Sequence, residues 1–498
     1  MTKVLTNLAQ KITKIPLSIY LSLTVGLALI VRLLNLAKAS IWHDEGYTTM
    51  IINLPPSEII QTTISDVHPP LYYLLLHYWQ AVFGSSVVSL RGFSVACGVA
   101  IVVLMYFLLR RLFSENVARL GTLFVALGPF LVRYSQEARM YSLATLIAVG
   151  ATYVFVRALS SRHRSYIWWV LYGVLIALGL YTQYFLALLV PVHLIYAWFS
   201  LGGGKHSLTK LLRLPGLWLS GLVGLILFLP WLPSMFAQVT RVSDGFWIPP
   251  ISWFDIPNTL SMFMIYDHTL TRWLGVTFTV GLIAIAIYLA TKQPKQRPAI
   301  WLLISWLILP MIMIALISLK SPVFYDRYFS FSAPAFYSLL AVIIVYFAPK
   351  TKQTWSKALI ITVSIAVLVA GIVNVYDSAS HRMRDVADVV NTEYQTGDEI
   401  ISAELYTFFD FSYYNQTGAP VQLLSEEEFG EFGEWGLVRA TNTERVASLS
   451  DIEADRVWVI GKTGDDYDYF TADVPDSWWL VVEASAGDSV VKLFETNQ

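Results

Sequence analysis

Residues 15–36 read IPLSIYLSLTVGLALIVRLLNL, and shortly after them comes Ile41-Trp42-His43-Asp44-Glu45-Gly46-Tyr47. The first stretch has the length of about 20 apolar residues that an α-helix needs to cross a bilayer core. The second places two adjacent carboxylates, a histidine and aromatic residues where that run ends. Ala37-Lys38-Ala39 resembles a signal-peptidase site. The apolar run before it, however, exceeds the usual h-region of about 7–15 residues, so it is read as a retained membrane helix.

Composition supports the same reading along the whole chain. Of 498 residues, 56% are hydrophobic and 14% charged, with a mean hydropathy of +0.57, against about 25% charged in soluble domains. Further apolar segments lie at 88–109, 117–133, 140–156, 166–182, 185–201, 214–236, 273–290, 299–319, 329–347 and 357–375, which makes about eleven spans with the first. Basic residues set the orientation, because cytoplasmic loops collect Lys and Arg. Lys3, Lys11 and Lys14 precede the first span, and Arg110, Arg111 and Arg119 mark the next cytoplasmic turn. Arg157, Arg162 and Arg164, then Lys205, Lys210 and Arg213, then Lys292, Lys295 and Arg297, and finally Lys350, Lys352 and Lys357 continue the alternation. The expected protein is an α-helical polytopic membrane protein with its amino terminus inside and its carboxyl terminus outside.

The net charge of −1 conceals a division, since 25 of the 35 acidic residues follow Tyr376. Residues 377–498 therefore read as a small soluble α/β domain on the outer side. Its first helix is expected over Arg382–Tyr394, with Gly397 as a stop. Strands are expected at Glu399–Ala403, Val421–Leu424, Arg456–Ile460, Trp479–Glu483 and Ser489–Phe494. Residues 1–376, including a long first outer loop at 38–87, form the membrane part. In that loop Pro55-Pro56-Ser57-Glu58 reads as a helix start with Ser57 as N-cap. Leu71–Trp79, too short to span and mixing Tyr, Trp and His with Leu, reads as a helix lying in the interface.

Of the ten acids before Tyr376, all but Glu115 fall on the outer side. Asp44 and Glu45 share that side with His68, Glu137, Arg139 and Arg327. Ionisable groups at membrane depth are costly and usually functional. This mixture suits removal of a proton together with stabilisation of an anionic leaving group. A guanidinium fork matches phosphate geometry, which makes a lipid phosphate the natural partner of Arg139 and Arg327; snorkelling to headgroups is the plainer alternative. Arg91 and Lys320 are weaker candidates. Trp42, Tyr47, Tyr72, Tyr73, Trp247 and Trp253 are expected in any interfacial belt. Asp44, Glu45, Glu137 and His68 could also ligate a divalent ion, although no cofactor is firmly implied. Cys97 is the lone cysteine, which excludes a disulfide within the chain. Gly202-Gly203-Gly204-Lys205-His206-Ser207 lacks the Ser or Thr that must follow the lysine of a phosphate loop. Asn415-Gln416-Thr417 is a bare glycosylation sequon.

Taken together, several motifs resemble the GT-C superfamily of polytopic glycosyltransferases that use polyprenyl-phosphate sugars, in the branch of protein mannosyltransferases and lipid A aminoarabinose transferases. They are Asp44-Glu45, His68-Pro69-Pro70-Leu71-Tyr72-Tyr73, Gln136-Glu137-Ala138-Arg139-Met140-Tyr141 and Arg327-Tyr328, within roughly residues 10–345. The resemblance implies transfer of a monosaccharide from a polyprenyl-phosphate donor to an acceptor hydroxyl on the outer face, with inversion. It implies Asp44, with Glu45, as the general base or acceptor-orienting group, and Glu137 as a second acid near the sugar. Arg139, Arg327 and His68 would hold the carrier phosphate, with His68 where relatives often have lysine. Tyr72, Tyr141 and Tyr328 would contact substrate. Arg91-Gly92-Phe93-Ser94 departs from the family's Arg-Leu-Pro-Ser. The acceptor would be a lipid, a glycan or a protein, with no nucleic acid, at the plasma (inner) membrane of the cell envelope. Two other functions fit the same composition: a flippase or transporter of lipid-linked sugars, and a polymerase or ligase of lipid-linked glycans.

Overall fold

A computed structural model describes residues 15–161, 166–244, 248–267, 272–346, 354–378, 381–462 and 472–496. Lys3, Lys11, Lys14, Arg162, Arg164, Trp247, Lys350 and Lys352 lie outside them. In chain order the helices begin with α1 (Leu17–Leu33), α2 (His43–Ile52), α3 (Pro56–Ser65), α4 (Leu71–Phe83), α5 (Val87–Leu112), α6 (Glu115–Leu127), α7 (Pro129–Ser135), α8 (Tyr141–Ser160) and α9 (Tyr166–Leu180). They continue with α10 (Leu189–Ser200), α11 (Lys205–Leu212), α12 (Pro215–Phe228), α13 (Leu232–Asp244), α14 (Asp255–Ile265), α15 (Arg272–Lys292), α16 (Arg297–Ser318), α17 (Ala333–Tyr346) and α18 (Thr354–Asp377). Beyond Asp377 come α19 (Met383–Glu393), α20 (Leu405–Tyr414), α21 (Gly433–Ala440) and six strands, β1 (Glu399–Ser402), β2 (Val421–Leu424), β3 (Arg445–Val446), β4 (Arg456–Lys462), β5 (Trp479–Ala486) and β6 (Ser489–Glu495).

The chain divides into two compact units, one of residues 1–34 and 91–377, the other of residues 35–90 and 378–498. From sequence, residues 38–87 are expected in the membrane part. By contact the first outer loop instead packs with the carboxyl-terminal segment. The reason is that α2 lies against α20 and α3 against α21.

In the first unit, each apolar segment expected to span is mainly helical over its described residues. Among the described residues, seven helices are long and apolar enough to cross a bilayer, or nine if each of two bent pairs counts as one. The shorter apolar helices α1 and α9 accompany them. The protein is a multi-pass membrane protein. Burial separates the spans, since the apolar window within Pro215–Val242 is 17% buried while that within Asp326–Tyr346 is 89% buried. Leu222, Leu225 and Ile226 of the former are exposed apolar side chains of the kind lipid covers. The bent pair α6 and α7 meets at 53°. The bend falls at Gly128, where any Cβ would collide with the Tyr337 ring, and Pro129 opens α7 where its missing N–H costs nothing.

The second unit holds a sheet in the order β3-β2-β1-β4-β6-β5, with β3, β2, β1 and β4 parallel and β6 and β5 antiparallel. The expected strands are present, and the two-residue β3 is one that the sequence reading lacked. On one face Ile401, Val457, Val459 and Phe494 form a core with Leu449. Met383, Val386 and Val390 of α19 are buried, as their spacing predicts. Gly397 adopts φ +103°, a left-handed conformation suited to glycine. Helix α3 begins at Pro56, with Pro55 as the cap residue and no side-chain cap bond, so Ser57 is not the N-cap. Helix α4 buries Tyr72, Tyr73 and Leu76 and exposes Tyr78, Val82 and Phe83. That one-sidedness is what an interfacial helix requires.

Candidate active-site residues

The acidic stretch of the second unit forms the first turn of α2, where the positive end of the helix dipole favours carboxylates. Within His43–Thr49 every residue except Asp44 is buried, Glu45 completely. Asp44 is thus the one member of the turn with access to solvent. Beside it the His43 imidazole is held from both sides. Its Nδ1 lies 3.3 Å from the Tyr406 carbonyl oxygen and its Nε2 lies 2.6 Å from Glu434 Oε1. Both neighbours are acceptors, so both ring nitrogens donate and the imidazolium form is favoured. Burial alone would lower the His43 pKa. The Glu434 hydrogen bond and charge, with Asp44 and Asp410, outweigh it and raise the pKa. His68 is half-buried between α3 and α4, and the Tyr72 side chain is buried against Tyr73 at 5.9 Å between ring centroids.

Among the described residues, His43, Asp44 and Glu434 are a set whose ligand atoms all lie within 4.8 Å of one another. They are the residues that could hold a divalent ion, in place of the expected combination of Asp44 with Glu45, Glu137 and His68. His43 Nε2 is already committed to Glu434.

In the first unit the α7–α8 connection carries Glu137 and Arg139, respectively 2% and 3% exposed. Arg133, one helical turn before Glu137, reaches Glu137 Oε1 at 3.4 Å and donates to the Tyr266 hydroxyl at 3.2 Å. Ser94 donates to the Arg139 carbonyl at 3.4 Å. The 3₁₀ turn Asp326–Ser332 packs against α8, with Ser330 Oγ donating to the Tyr141 carbonyl at 3.4 Å. This brings Arg327 and Tyr328 to the helix that begins with Tyr141. Arg327 is 8% exposed, its guanidinium 4.6 Å from the Tyr325 ring centre. Tyr328 packs on Phe185 at 5.4 Å, and Tyr141 meets Tyr134 edge-on at 5.0 Å.

Beneath this connection lies Arg32, which the sequence reading passed over. It is fully buried and donates to Ser135 Oγ at 3.2 Å, the Ala28 carbonyl at 3.1 Å and the Ala126 carbonyl at 2.9 Å. Gln136 donates back to the Arg32 and Leu34 carbonyls at 3.0 and 2.7 Å. Arg32 and Gln136 therefore tie the end of α1 to the start of the Glu137–Arg139 segment. A lone arginine inside an apolar span was the available signal. Glu434 carried no comparable signal, because its hydrogen bond to His43 joins residues 391 apart in sequence.

A family profile described as dolichyl-phosphate-mannose-protein mannosyltransferase matches residues 67–233. An undecaprenyl phosphate-alpha-4-amino-4-deoxy-L-arabinose arabinosyl transferase from Erwinia tasmaniensis is 26% identical over 306 residues, 59% of this chain and 53% of that protein. The chain spans about half the length of the curated relatives it matches. The crystal structure of ArnT from Cupriavidus metallidurans bound to undecaprenyl phosphate superposes with a TM-score of 0.64 at 14% identity, covering 96% of this chain and 98% of that one. The oligosaccharyltransferase AglB from Archaeoglobus fulgidus, in complex with an inhibitory peptide and a dolichol-phosphate, has a TM-score of 0.52 at 13% identity, covering 88% of this chain and 69% of that one. Sequence match and shared fold point the same way: residues 67–233 are similar to the mannosyltransferase family, and the chain has the fold seen in ArnT and AglB.

Proposed function

We propose that this protein transfers a monosaccharide from a polyprenyl-phosphate donor to an acceptor hydroxyl at the outer face of the plasma (inner) membrane. The observation that carries the reading is the pair of nearly buried arginines, Arg139 and Arg327, on the segments that meet at the start of α8. A guanidinium offers a planar fork of N–H donors that matches the oxygens of a phosphate, and two such forks on adjoining segments suit a lipid phosphate. The likeness to a structure bound to undecaprenyl phosphate supports that choice.

In this scheme Asp44 accepts the proton of the acceptor hydroxyl, assisted by the buried Glu45. The acceptor oxygen attacks the anomeric carbon from the face opposite the phosphate, the glycosidic bond to phosphate breaks, and configuration inverts. Arg139 and Arg327 neutralise the departing phosphate, with His68 as a further donor. Glu137 orients the sugar, and Tyr72, Tyr141 and Tyr328 line the substrate path. A phosphate leaves without a strong acid, so these groups suffice. Eleven crossings, an inner amino terminus and a soluble outer α/β domain complete the arrangement.

The test is incubation of the purified full chain in detergent with undecaprenyl-phosphate-linked 4-amino-4-deoxy-L-arabinose or mannose and a membrane-lipid extract. Release of free undecaprenyl phosphate, lost in Asp44→Asn, is the expected result. A transporter makes no product without a sealed bilayer, and a polymerase or ligase uses lipid-linked glycans instead of single sugars. Full activity of Asp44→Asn removes Asp44 from the mechanism.

A further inference from the structure

Helix α2 has ten residues and no side-chain cap bond, and isolated helices shorter than about 12–15 residues are marginal in water. Something else must therefore fix the helix that presents Asp44. The contacts identify it. Ahead of the helix, the Ser40 N–H donates to the His381 carbonyl at 2.9 Å, and the Ile41 N–H to the Tyr414 hydroxyl at 2.8 Å. Arg384 donates from its N–H to Ser40 Oγ and from its guanidinium to the Ala37 carbonyl, both at 3.0 Å. In the helix itself, His43 lies between Glu434 and the Tyr406 carbonyl, its ring 4.3 Å from that of Tyr406. Tyr47 meets Phe409 edge-on at 5.6 Å. Gly46 sits so close to α20 that a Cβ would lie 2.6 Å from the Phe409 carbonyl carbon and 2.9 Å from the Asp410 nitrogen.

All these partners come from residues 381–434. We propose that the carboxyl-terminal α/β domain is a working part of the active site, in which Glu434, through His43, and the Phe409 backbone, against Gly46, hold Asp44 in its reactive orientation. His43, Glu434 and Gly46 are positioning residues. His43 is pinned at both nitrogens and buried, and the adjacent Asp44 is the half-buried member of the turn. Gly46 is what lets two backbones approach so closely. This inference rests on the reading of Asp44 as the general base.

Proton transfer tolerates little misplacement, and an error of about 1 Å can cost about 100-fold in rate. The test compares Glu434→Ala, Glu434→Gln and Gly46→Ala in the full chain, with Glu431→Gln as a control in the exposed Arg439 ion pair. Release of undecaprenyl phosphate gives kcat and donor KM, and hydrogen exchange is followed over residues 43–52. Glu434→Ala is expected to lower kcat by about 10- to 100-fold with donor KM nearly unchanged, and to speed exchange in residues 43–52. Glu434→Gln keeps an acceptor for His43 and restores most of the rate, and Glu431→Gln behaves as wild type. In an Asp44→Asn background, Glu434→Ala adds no further loss.

The proposal is overturned if Glu434→Ala retains wild-type kcat, raises only donor KM, or leaves exchange over residues 43–52 unchanged. An inactive Asp44→Asn beside a fully active Glu434→Ala refutes the positioning role alone. An active Asp44→Asn refutes the underlying assignment of the base. If Gly46→Ala does not fold, the half-exposed Glu434 still decides the question.

Discussion

His381 should make the second unit sensitive to alkaline pH. Its Nε2 lies 2.9 Å from Asp410 Oδ2 and its Nδ1 lies 3.0 Å from Asp488 Oδ1. Asp410 is fully buried, and Lys462 approaches it at 3.8 Å. Burial alone would lower the His381 pKa, but the two aspartates raise it from 6.5 to about 9. Because the folded value lies above the unfolded one, the stabilisation is fully present below pH 6.5 and lost as pH rises through 9. The shift corresponds to at most about 3 kcal/mol, about 2 of it disappearing between pH 7 and 9. Solvent at the half-exposed Asp488 and the competing Lys462 beside Asp410 reduce that contribution. The assay is hydrogen exchange of peptides from β1, β4 and α20 in the full chain between pH 6 and 9.5, corrected for intrinsic rates. Protection should fall about 10-fold or more across pH 7–9, and His381→Gln should flatten the dependence while lowering protection at pH 6.5. Equal protection at pH 7 and 9, or an identical profile in His381→Gln, refutes the reasoning.

Arg327→Ala should raise donor KM by about 10-fold or more, as loss of a charge-assisted contact worth about 1.5–3 kcal/mol requires, and steady-state kinetics against donor concentration measures it. Gly98→Val should lower thermal stability by about 1–3 kcal/mol, because a Cβ there would strike Ser135 Oγ and the Arg32 guanidinium. Arg32→Lys keeps the charge but loses the fork to Ser135 and Ala126, so proteolysis of the Gln136–Met140 segment should accelerate with little change in expression. Trp458→Phe removes the 2.9 Å bond to Asp398 and should cost about 1–3 kcal/mol, read from denaturant melts of the second unit.

Periodicity and length made the spans legible, because a hydrocarbon solvent tolerates few alternatives to a long apolar helix. The parallel strands β1, β2 and β4 were equally readable as short apolar runs between turn residues. The two-residue β3 was not, being below the length at which a pattern exists. Asp44, Glu137, Arg139 and Arg327 stood out because charge near a membrane is conspicuous. The partners that position them did not. Glu434 is one acid among many in a charged segment, Phe409 contributes backbone rather than side chain, and Arg32 hides inside an apolar run. The grouping of the first outer loop with the carboxyl-terminal segment was also invisible. Both segments looked self-sufficient, and the burial that unites them depends on contacts across most of the chain.

The second unit is assembled from residues 35–90 and 378–498, and this sets a timetable for its making. The early piece leaves the ribosome about 290 residues ahead of the late one, so at 5–20 residues per second it waits roughly 15–60 s before its other half exists. During that interval α2 and α3 have emerged without α20 and α21, which pack against them, and premature termination anywhere before residue 378 strands them permanently. Biogenesis therefore depends on whatever shields this segment until translation ends. Mutations in the last quarter of the chain should show themselves first as degradation of newly made protein rather than as slow turnover of the finished protein.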